Sequence, residues 1–310
     1  MNDLRDHLQG LWLPLVTPFR DDAIDDISLR RLVRHYANGP IDGFILAATS
    51  GEGLLLSTAE LAELVTLVRA ELAALHLSLP ICLGLAGAST QKLQEMLDKT
   101  AAWPIDGYLI SAPHYLRPSQ RGLLAHFTTL ANHASRPIVL YNIPYRAAVA
   151  ISNDTLLTLA EHPNIVGLKD CCADRAQSIE LLRRRPTGFR VLSGEDAQYF
   201  DALSDGADGA ILLSAHVATE SFAQVQTHLE VGDREAASTC WRGVAELTRL
   251  LFLEPSPAPA KYWLAQTGLI SSAEVRSPIM EVSAELAARL DAEIAQRNEI
   301  SRKVHLVNAR

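Results

Sequence analysis

A lysine ends an apolar run in the middle of the chain. Lys169 directly follows Ile165, Val166, Gly167 and Leu168. If this run is a buried strand, its surroundings disfavour the charged amine and lower its pKa from the usual value of about 10.4. A neutral amine can attack the carbonyl carbon of a ketone. The alternative is a strand-end lysine that extends its ammonium group into solvent.

Other polar residues near the ends of apolar runs suit the same chemistry. The phenol of Tyr141 can move a proton to and from a carbinolamine on the lysine nitrogen. The stretch 49–52, Thr-Ser-Gly-Glu, offers two hydroxyls and a run of free backbone N–H groups, which suit a carboxylate. The guanidinium of Arg146 can clamp a second carboxylate. Tyr115 and the stretch 193–196 are further candidates.

Each candidate also has an ordinary explanation. Tyr141 can be a packing tyrosine whose hydroxyl reaches water. The stretch 49–52 can be a turn with a helix cap, and Arg146 can be a surface arginine. The residues alone therefore leave the chemistry open.

Other kinds of catalytic site have little support. The ten histidines form neither H-E-x-x-H nor another tight ligand spacing, so no metal site is predicted. The glycine-rich stretch 84–89 lacks the Lys-Ser/Thr ending of a P-loop. The four cysteines form neither a C-x-x-C motif nor a disulfide framework. No cofactor is expected, because an imine on a lysine can act as the electron sink.

Eight short apolar runs, each followed by a longer amphipathic stretch, must position these residues. Their hydrophobicity is continuous rather than alternating, which is typical of parallel strands covered by helices. We predict an α/β fold, a (β/α)₈ TIM barrel, with the active site at the carboxyl ends of its strands. A doubly wound open sheet is the alternative, but its glycine fingerprint is missing. The expected strands span 10–17, 43–47, 80–85, 107–111, 137–141, 165–169, 190–193 and 209–213.

The helices follow from capping residues and apolar stripes. The clearest helix is expected from about Ser57 to Leu75, with Ser57 and Glu60 as a capping box. The acidic stretch 20–26 is expected to be a solvated turn. Similar helix starts are expected after Ser28, Ser89, Ser119, Ser152 and Asp174.

The apolar runs stop after about residue 231. We therefore predict a barrel domain over residues 1–231 and a C-terminal helical region over 232–310. The Pro-rich stretch 254–261 is expected to be a rigid bend. Helices are expected over 235–253, 259–266 and 283–297.

The composition favours a protein with small-molecule ligands. The chain has 310 residues, of which 48% are hydrophobic, enough for a full core. Its net charge of -8 argues against nucleic-acid partners, which need clustered Lys and Arg. The first ten residues have no apolar signal segment, and the stretch 72–91 is interrupted by Pro80, Gly84 and Gly87. No membrane partner is predicted, and a cytoplasmic location is expected.

Seven short motifs occur in order along almost the whole chain. They are TPF at 17–19, TSGEG at 49–53, PHYLRPSQRG at 113–122, YNIPYR at 141–146, GLKD at 167–170, SGED at 193–196 and EPSPAPAK at 254–261. In this order and spacing they resemble the class I pyruvate-dependent aldolases of the dihydrodipicolinate synthase and N-acetylneuraminate lyase family.

The resemblance implies a covalent mechanism. Lys169 would form a Schiff base with pyruvate, which would then lose a C3 proton and become an enamine nucleophile. Thr49 and Tyr141 would share a proton relay with Tyr115 of the partner subunit. The resemblance therefore also implies a homodimer or homotetramer.

The resemblance also implies a pyruvate pocket. Ser50 and the backbone from Thr49 to Gly51 would hold the pyruvate carboxylate. Gly194 and Ile211 would line the pocket.

Within the family, the chain is most similar to dihydrodipicolinate synthases. In these enzymes an arginine at the position of Arg146 receives the carboxylate of aspartate semialdehyde. The chain also resembles the synthases at Tyr115, Arg276 and Pro278. This implies condensation of pyruvate with L-aspartate 4-semialdehyde to 4-hydroxy-tetrahydrodipicolinate. One alternative is another pyruvate aldolase, acting on a 2-keto-3-deoxy sugar acid, 4-hydroxy-2-oxoglutarate or N-acetylneuraminate. The other is a ligand-binding pseudoenzyme.

Some positions depart from the family's pattern. Tyr145 and Ala147 flank Arg146 where the synthases more often carry small or hydroxylated residues, which would reshape the aldehyde pocket. In the lysine-sensing synthases the effector is held by His, Asn, Glu and Tyr side chains. This chain has Lys92 at the position of the carboxylate that binds the effector's ammonium group. Two like charges repel each other, so we predict no inhibition by free lysine. The matching positions are Thr58, Leu61, Ala88, Lys92 and His114.

Overall fold

A closed barrel of eight parallel strands forms the centre of the molecule, as predicted. The computed structural model describes the backbone of residues 4–308 and the side chains of residues 4–299. Two further strands, β2 (Phe19–Arg20) and β3 (Ala23–Ile24), form a small antiparallel hairpin. The barrel strands are β1 (Gly10–Pro14), β4 (Gly43–Leu46), β5 (Ile81–Leu85), β6 (Gly107–Ser111), β7 (Ile138–Asn142), β8 (Ile165–Asp170), β9 (Arg190–Ser193) and β10 (Gly209–Ile211).

Helices follow the strands and cover the barrel. Those that precede residue 231 are α1 (Leu4–His7), α2 (Asp26–Ala37), α3 (Thr58–Ala74), α4 (Thr90–Thr100), α5 (Gln120–His133), α6 (Pro144–Ala147), α7 (Asn153–Ala160), α8 (Arg175–Arg184), α9 (Tyr199–Ser204) and α10 (Ala215–Glu230). The capping box of α3 is present, because Ser57 and Glu60 each accept a hydrogen bond from the other's backbone N–H.

Two predictions about the start of the chain were inaccurate. Helix α2 begins before Ser28, because the carboxylate of Asp25 is its N-cap and accepts the Ser28 N–H. The acidic stretch 20–26 is not simply a solvated turn. Its tip, Asp21 and Asp22, donates two backbone N–H groups to the carboxylate of Glu274.

The amino end of the barrel is closed by α1 and the residue that follows it. Leu4 and Leu8 pack with the interior residues of the barrel. An added Cβ on Gly107 would lie 2.4 Å from Leu4, and one on Gly167 would lie 2.6 Å from Leu8. The two glycines therefore make room for this plug, and ligands must enter at the carboxyl ends of the strands.

The C-terminal region is helical, as expected, and packs on the barrel. Helix α11 (Arg234–Leu250) lies against α10, and α12 (Ala258–Gln266) contacts both α10 and α13 (Ala284–Asn308). Helix α13 is longer than predicted. The predicted domain boundary at residue 231 falls between α10 and α11 and stays a prediction.

Within the described part of the chain, no helix combines the length and apolar character that a membrane crossing requires.

The tight packing at Gly167 can be tested by adding one methyl group. A Cβ there would also lie 2.7 Å from the carbonyl oxygen of Arg190, which is backbone and cannot easily move. We expect Gly167→Ala to lower the free energy of unfolding by about 1–3 kcal/mol in urea titrations. Gly243→Ala in α11 is the control: its Cβ meets no atom within 4 Å. It should raise the free energy of unfolding by about 0.5–1 kcal/mol. Equal stability of the two variants would contradict this packing.

Candidate active site

The carboxyl ends of β7 and β8 bring a lysine and a tyrosine together. Tyr141 and Lys169 are paired in the register of these neighbouring strands. Both are only 6% exposed. The Lys169 Nζ lies 4.5 Å from the centre of the Tyr141 ring. Lys169 therefore does not extend into solvent, which was the alternative left open by the sequence.

The surroundings of Lys169 favour its neutral form. Burial is the main cause and holds the pKa of the amine below its usual value. The acidic groups of Cys171, Asp196 and Glu195 act in the opposite direction, and Arg146 reinforces the lowering. A larger fraction of the amine is thus neutral at physiological pH than in an exposed lysine.

Tyr141 is held as a neutral phenol. Burial raises its pKa well above the usual value, while a hydrogen bond with the side chain of Thr49 acts in the opposite direction. The phenol therefore keeps its proton near Lys169 and Thr49. Such a group can donate a proton and recover it within one turnover.

The loop after β4 presents two free amides. Ala47 and Glu52 both have positive φ values, 55° and 54°, which bend the loop sharply. The N–H of Gly51 donates to Ala48, and that of Glu52 donates to Thr49, at 3.0 and 3.1 Å. The expected run of free N–H groups is thus shorter than predicted, because the turn itself uses the Gly51 N–H.

The remaining free donors are adjacent. Among the described residues, the backbone N–H groups of Thr49 and Ser50 have no hydrogen-bond acceptor. The carbonyl of Gly51 accepts a 2.8 Å hydrogen bond from the buried hydroxyl of Thr17, which fixes the turn. Two adjacent amides held this way suit a carboxylate.

Gly194 lies against Lys169, and Ile211 lies among the interior residues of the barrel; their part in a pyruvate pocket stays a prediction. The N–H of Gly194 donates to Asp170, at 2.7 Å. A Cβ on Gly194 would lie 2.7 Å from the Lys169 Cε, so only glycine leaves the lysine in place. Ile211 is fully buried among the interior residues.

A cavity of about 580 Å³ opens beside these residues. It is lined by Thr49, Tyr141 and Arg146, and it extends to Thr58 and His114. Arg146 is exposed and its guanidinium lies 5.6 Å from the centre of the Tyr145 ring. The positive charge is thus free to meet an anionic ligand.

Tyr115 is the one predicted catalytic residue that a single chain leaves outside this group. It lies on the loop between β6 and α5 and is 87% exposed. Its predicted role in the proton relay requires a second subunit and stays a prediction.

The described residues include no group of three or more His, Cys, Asp or Glu side chains that could hold a metal ion.

Comparison with known proteins identifies the family. Residues 7–297 match the dihydrodipicolinate synthetase family. The chain belongs to this family. The family and enzyme class predicted from the seven motifs are therefore confirmed.

Individual relatives are similar to this chain over nearly their full length. The 4-hydroxy-tetrahydrodipicolinate synthase 2 of Clostridium acetobutylicum is 40% identical over 284 residues, which cover 92% of this chain and 98% of the relative. The structure of the 4-hydroxy-tetrahydrodipicolinate synthase from Methylacidiphilum fumariolicum SolV has a TM-score of 0.90 at 31% identity, with 96% and 98% of the two chains covered. A third similar structure is the chloride-inhibited dihydrodipicolinate synthase from Acinetobacter baumannii, complexed with pyruvate. Its TM-score is 0.87 at 30% identity, and the match covers 92% of this chain and 97% of that chain.

In this member of the dihydrodipicolinate synthetase family, further acidic groups surround the lysine. Burial raises the pKa of Asp196 to about 6, although the Ser214 N–H binds its carboxylate at 2.6 Å. Burial also raises the pKa of the Cys171 thiol, which lies close to Lys169 and Glu195. The SGED motif pointed to the two carboxylates. No sequence signal pointed to Cys171.

The lowered pKa of Lys169 predicts a specific pH dependence for imine formation. Between pH 6 and 10, the reduction of a pyruvate imine by cyanoborohydride should increase with the neutral fraction of the amine. For Lys169 this increase should level off at a lower pH than for an exposed lysine, because its folded-state pKa lies below about 10.4.

Peptide mapping of the reduced protein measures this directly. The exposed Lys92 in the same digest is the internal reference. Parallel pH profiles for the two lysines would contradict the buried amine.

Proposed function

We propose that this chain acts in the cytoplasm as a 4-hydroxy-tetrahydrodipicolinate synthase, which condenses pyruvate with L-aspartate 4-semialdehyde in lysine biosynthesis. The observation that carries the proposal is the buried amine of Lys169, 4.5 Å from the ring centre of Tyr141. The family membership and the 40% identical synthase support the same reaction.

The first steps take place on Lys169. Its neutral amine attacks C2 of pyruvate, and the resulting carbinolamine loses water to give an imine. Loss of a C3 proton then gives an enamine, whose C3 attacks the aldehyde carbon of the second substrate. The protonated imine receives the electrons released at C3, so the reaction as proposed needs no cofactor.

Proton transfer and carboxylate binding use the residues around this amine. Tyr141 and Thr49 relay protons to and from the carbinolamine, which their hydrogen bond and the neutral phenol support. The free amides of Thr49 and Ser50 bind the pyruvate carboxylate, together with the Ser50 hydroxyl.

We propose that the relay is completed by a second copy of the chain. Tyr115 and Leu116 are 87% and 62% exposed on the loop after β6, and Leu54 is 68% exposed. Leu54 lines the cavity, and large exposed apolar side chains at a site favour an interface. The assembly would be a homodimer or homotetramer, with Tyr115 of the partner subunit reaching the relay.

Arg146 selects the acceptor in this proposal. Its guanidinium lines the cavity that also contains Thr49 and Tyr141, where a carboxylate of the aldehyde can accept two parallel hydrogen bonds. The other family acceptors, from a 2-keto-3-deoxy sugar acid, 4-hydroxy-2-oxoglutarate or N-acetylneuraminate, would share the imine and differ at this contact. A ligand-binding pseudoenzyme would bind pyruvate without turnover.

The first test separates these possibilities. Borohydride reduction with pyruvate should attach one pyruvate-derived group at Lys169, as measured by peptide mass mapping. In a separate assay without reductant, the protein should consume aspartate semialdehyde in the presence of pyruvate with a kcat/KM at least tenfold higher than for the other acceptors, a difference of about 1.4 kcal/mol. Arg146→Ala should lower this kcat/KM by roughly tenfold to a hundredfold, because a charged hydrogen-bonded contact is lost.

Two outcomes would contradict the proposal. Absence of the adduct at Lys169 would exclude the mechanism. An adduct without turnover of aspartate semialdehyde would exclude this aldehyde as the acceptor. It would favour another pyruvate aldolase of the family or a ligand-binding pseudoenzyme. The Arg146→Ala variant should still form the pyruvate adduct at Lys169. Adduct formation would show that this variant is folded.

The second test concerns inhibition by lysine. Lys92 is exposed at the first turn of α4, where its charge and the helix N-terminus both disfavour a bound ammonium group. We expect millimolar L-lysine to leave the initial rate unchanged in steady-state assays. A lysine-inhibited synthase of the same family is the positive control, and strong inhibition of this chain would overturn the prediction.

A further inference from the structure

A buried ion pair joins the loop after β4 to the C-terminal region. The Nζ of Lys261, on α12, lies 2.7 Å from Oε1 of Glu52, and both side chains are fully buried. The second oxygen, Oε2, accepts the backbone N–H of Arg276 at 2.9 Å. Both carboxylate oxygens of Glu52 are therefore bonded to groups that lie more than two hundred residues further along the chain.

The cations around Glu52 make further contacts with protein groups. The Lys261 Nζ and the Arg276 guanidinium carbon each lie 4.3 Å from the centre of the buried Phe19 ring. Arg276 also pairs with Glu60 and donates to the carbonyl of Leu55. Burial lowers the pKa of Lys261 to about 8, and Glu52 acts against this lowering, so at neutral pH the amine remains mostly protonated.

The backbone of Glu52 shapes the two free amides. Its φ of 54° is in the left-handed region, which is unfavourable for a residue with a Cβ. Its N–H closes the turn onto Thr49, and Gly53 follows so tightly that an added Cβ would lie 1.7 Å from the carbonyl oxygen of Ala47. The side-chain bonds of Glu52 add to the turn's own backbone hydrogen bonds in holding this conformation.

We propose that the ion pair between Glu52 and Lys261 is a positioning device, which holds the Thr49 and Ser50 amides in the geometry that binds the carboxylate of the 2-oxo acid. The inference rests on the proposed function, in which the ligand is a 2-oxo acid that forms an imine at Lys169. Glu52 and Lys261 are positioning residues, because their side chains are fully buried and bound to each other. The C-terminal region thus contributes to the active site through α12.

The test compares two ketones that differ only in the carboxylate. Pyruvate carries it, and pyruvamide replaces it with a neutral amide. Adduct formation at Lys169, reduced with cyanoborohydride and quantified by peptide mapping, gives a half-saturating concentration for each. Glu52→Gln and Lys261→Met should each raise the value for pyruvate at least tenfold and change that for pyruvamide less than threefold, with the maximal adduct yield retained.

A double variant separates positioning from stability. Each single change leaves one buried charge without its partner, which lowers the melting temperature. The double variant Glu52→Gln with Lys261→Met removes both charges, so it should regain melting temperature but keep the weakened pyruvate binding. If a single variant fails to fold, the double variant still gives the comparison. Arg184→Met, which breaks an exposed pair with Glu180 on α8, is the control and should change neither ketone.

Three outcomes would overturn the proposal. Equal weakening of both ketones would indicate general loosening of the fold, and recovery of pyruvate binding in the double variant would indicate that only stability was lost. Unchanged pyruvate binding in all variants would leave the pair without a role in the site. These results differ from failure of the proposed function, in which the wild-type protein itself forms no adduct at Lys169. That result would remove the positioning role as well.

Discussion

The site depends on keeping one amine out of water. Lys169 lies within the barrel, against the Tyr141 ring and in the space that Gly194 leaves by having no side chain. Burial disfavours the charged amine, so its pKa lies below the usual value. Leu4 and Leu8 contribute from the opposite end, because they close the barrel and leave access only from the carboxyl ends of the strands.

Nearby charges offset part of the effect of burial on the pKa of Lys169. Asp196 and Glu195 favour the protonated amine, while Arg146 opposes it. The net result is a lowered pKa, which suits a nucleophile that must gain and lose protons in each cycle. The same low-polarity surroundings keep the Tyr141 phenol neutral, so a proton donor and a proton acceptor coexist a few ångströms apart.

Much of this arrangement could be predicted from the sequence, for physical reasons. Strands buried on both faces leave continuous apolar runs, and Lys169 and Tyr141 stand where such runs end. The engaged N–H of Gly51 could not be predicted, since it depends on positive φ values at Ala47 and Glu52. The Asp25 cap lies next to Asp26 and three residues before Ser28, and sequence signals discriminate poorly among capping residues this close together.

The bond between Glu52 and Lys261 joins groups 209 residues apart in the chain. During synthesis, the barrel strands leave the ribosome well before α12 does. The loop after β4 therefore remains without its final restraint while most of the barrel can already pair. The turn that presents the Thr49 and Ser50 amides can therefore take its final form only after α12 and Arg276 have been synthesised.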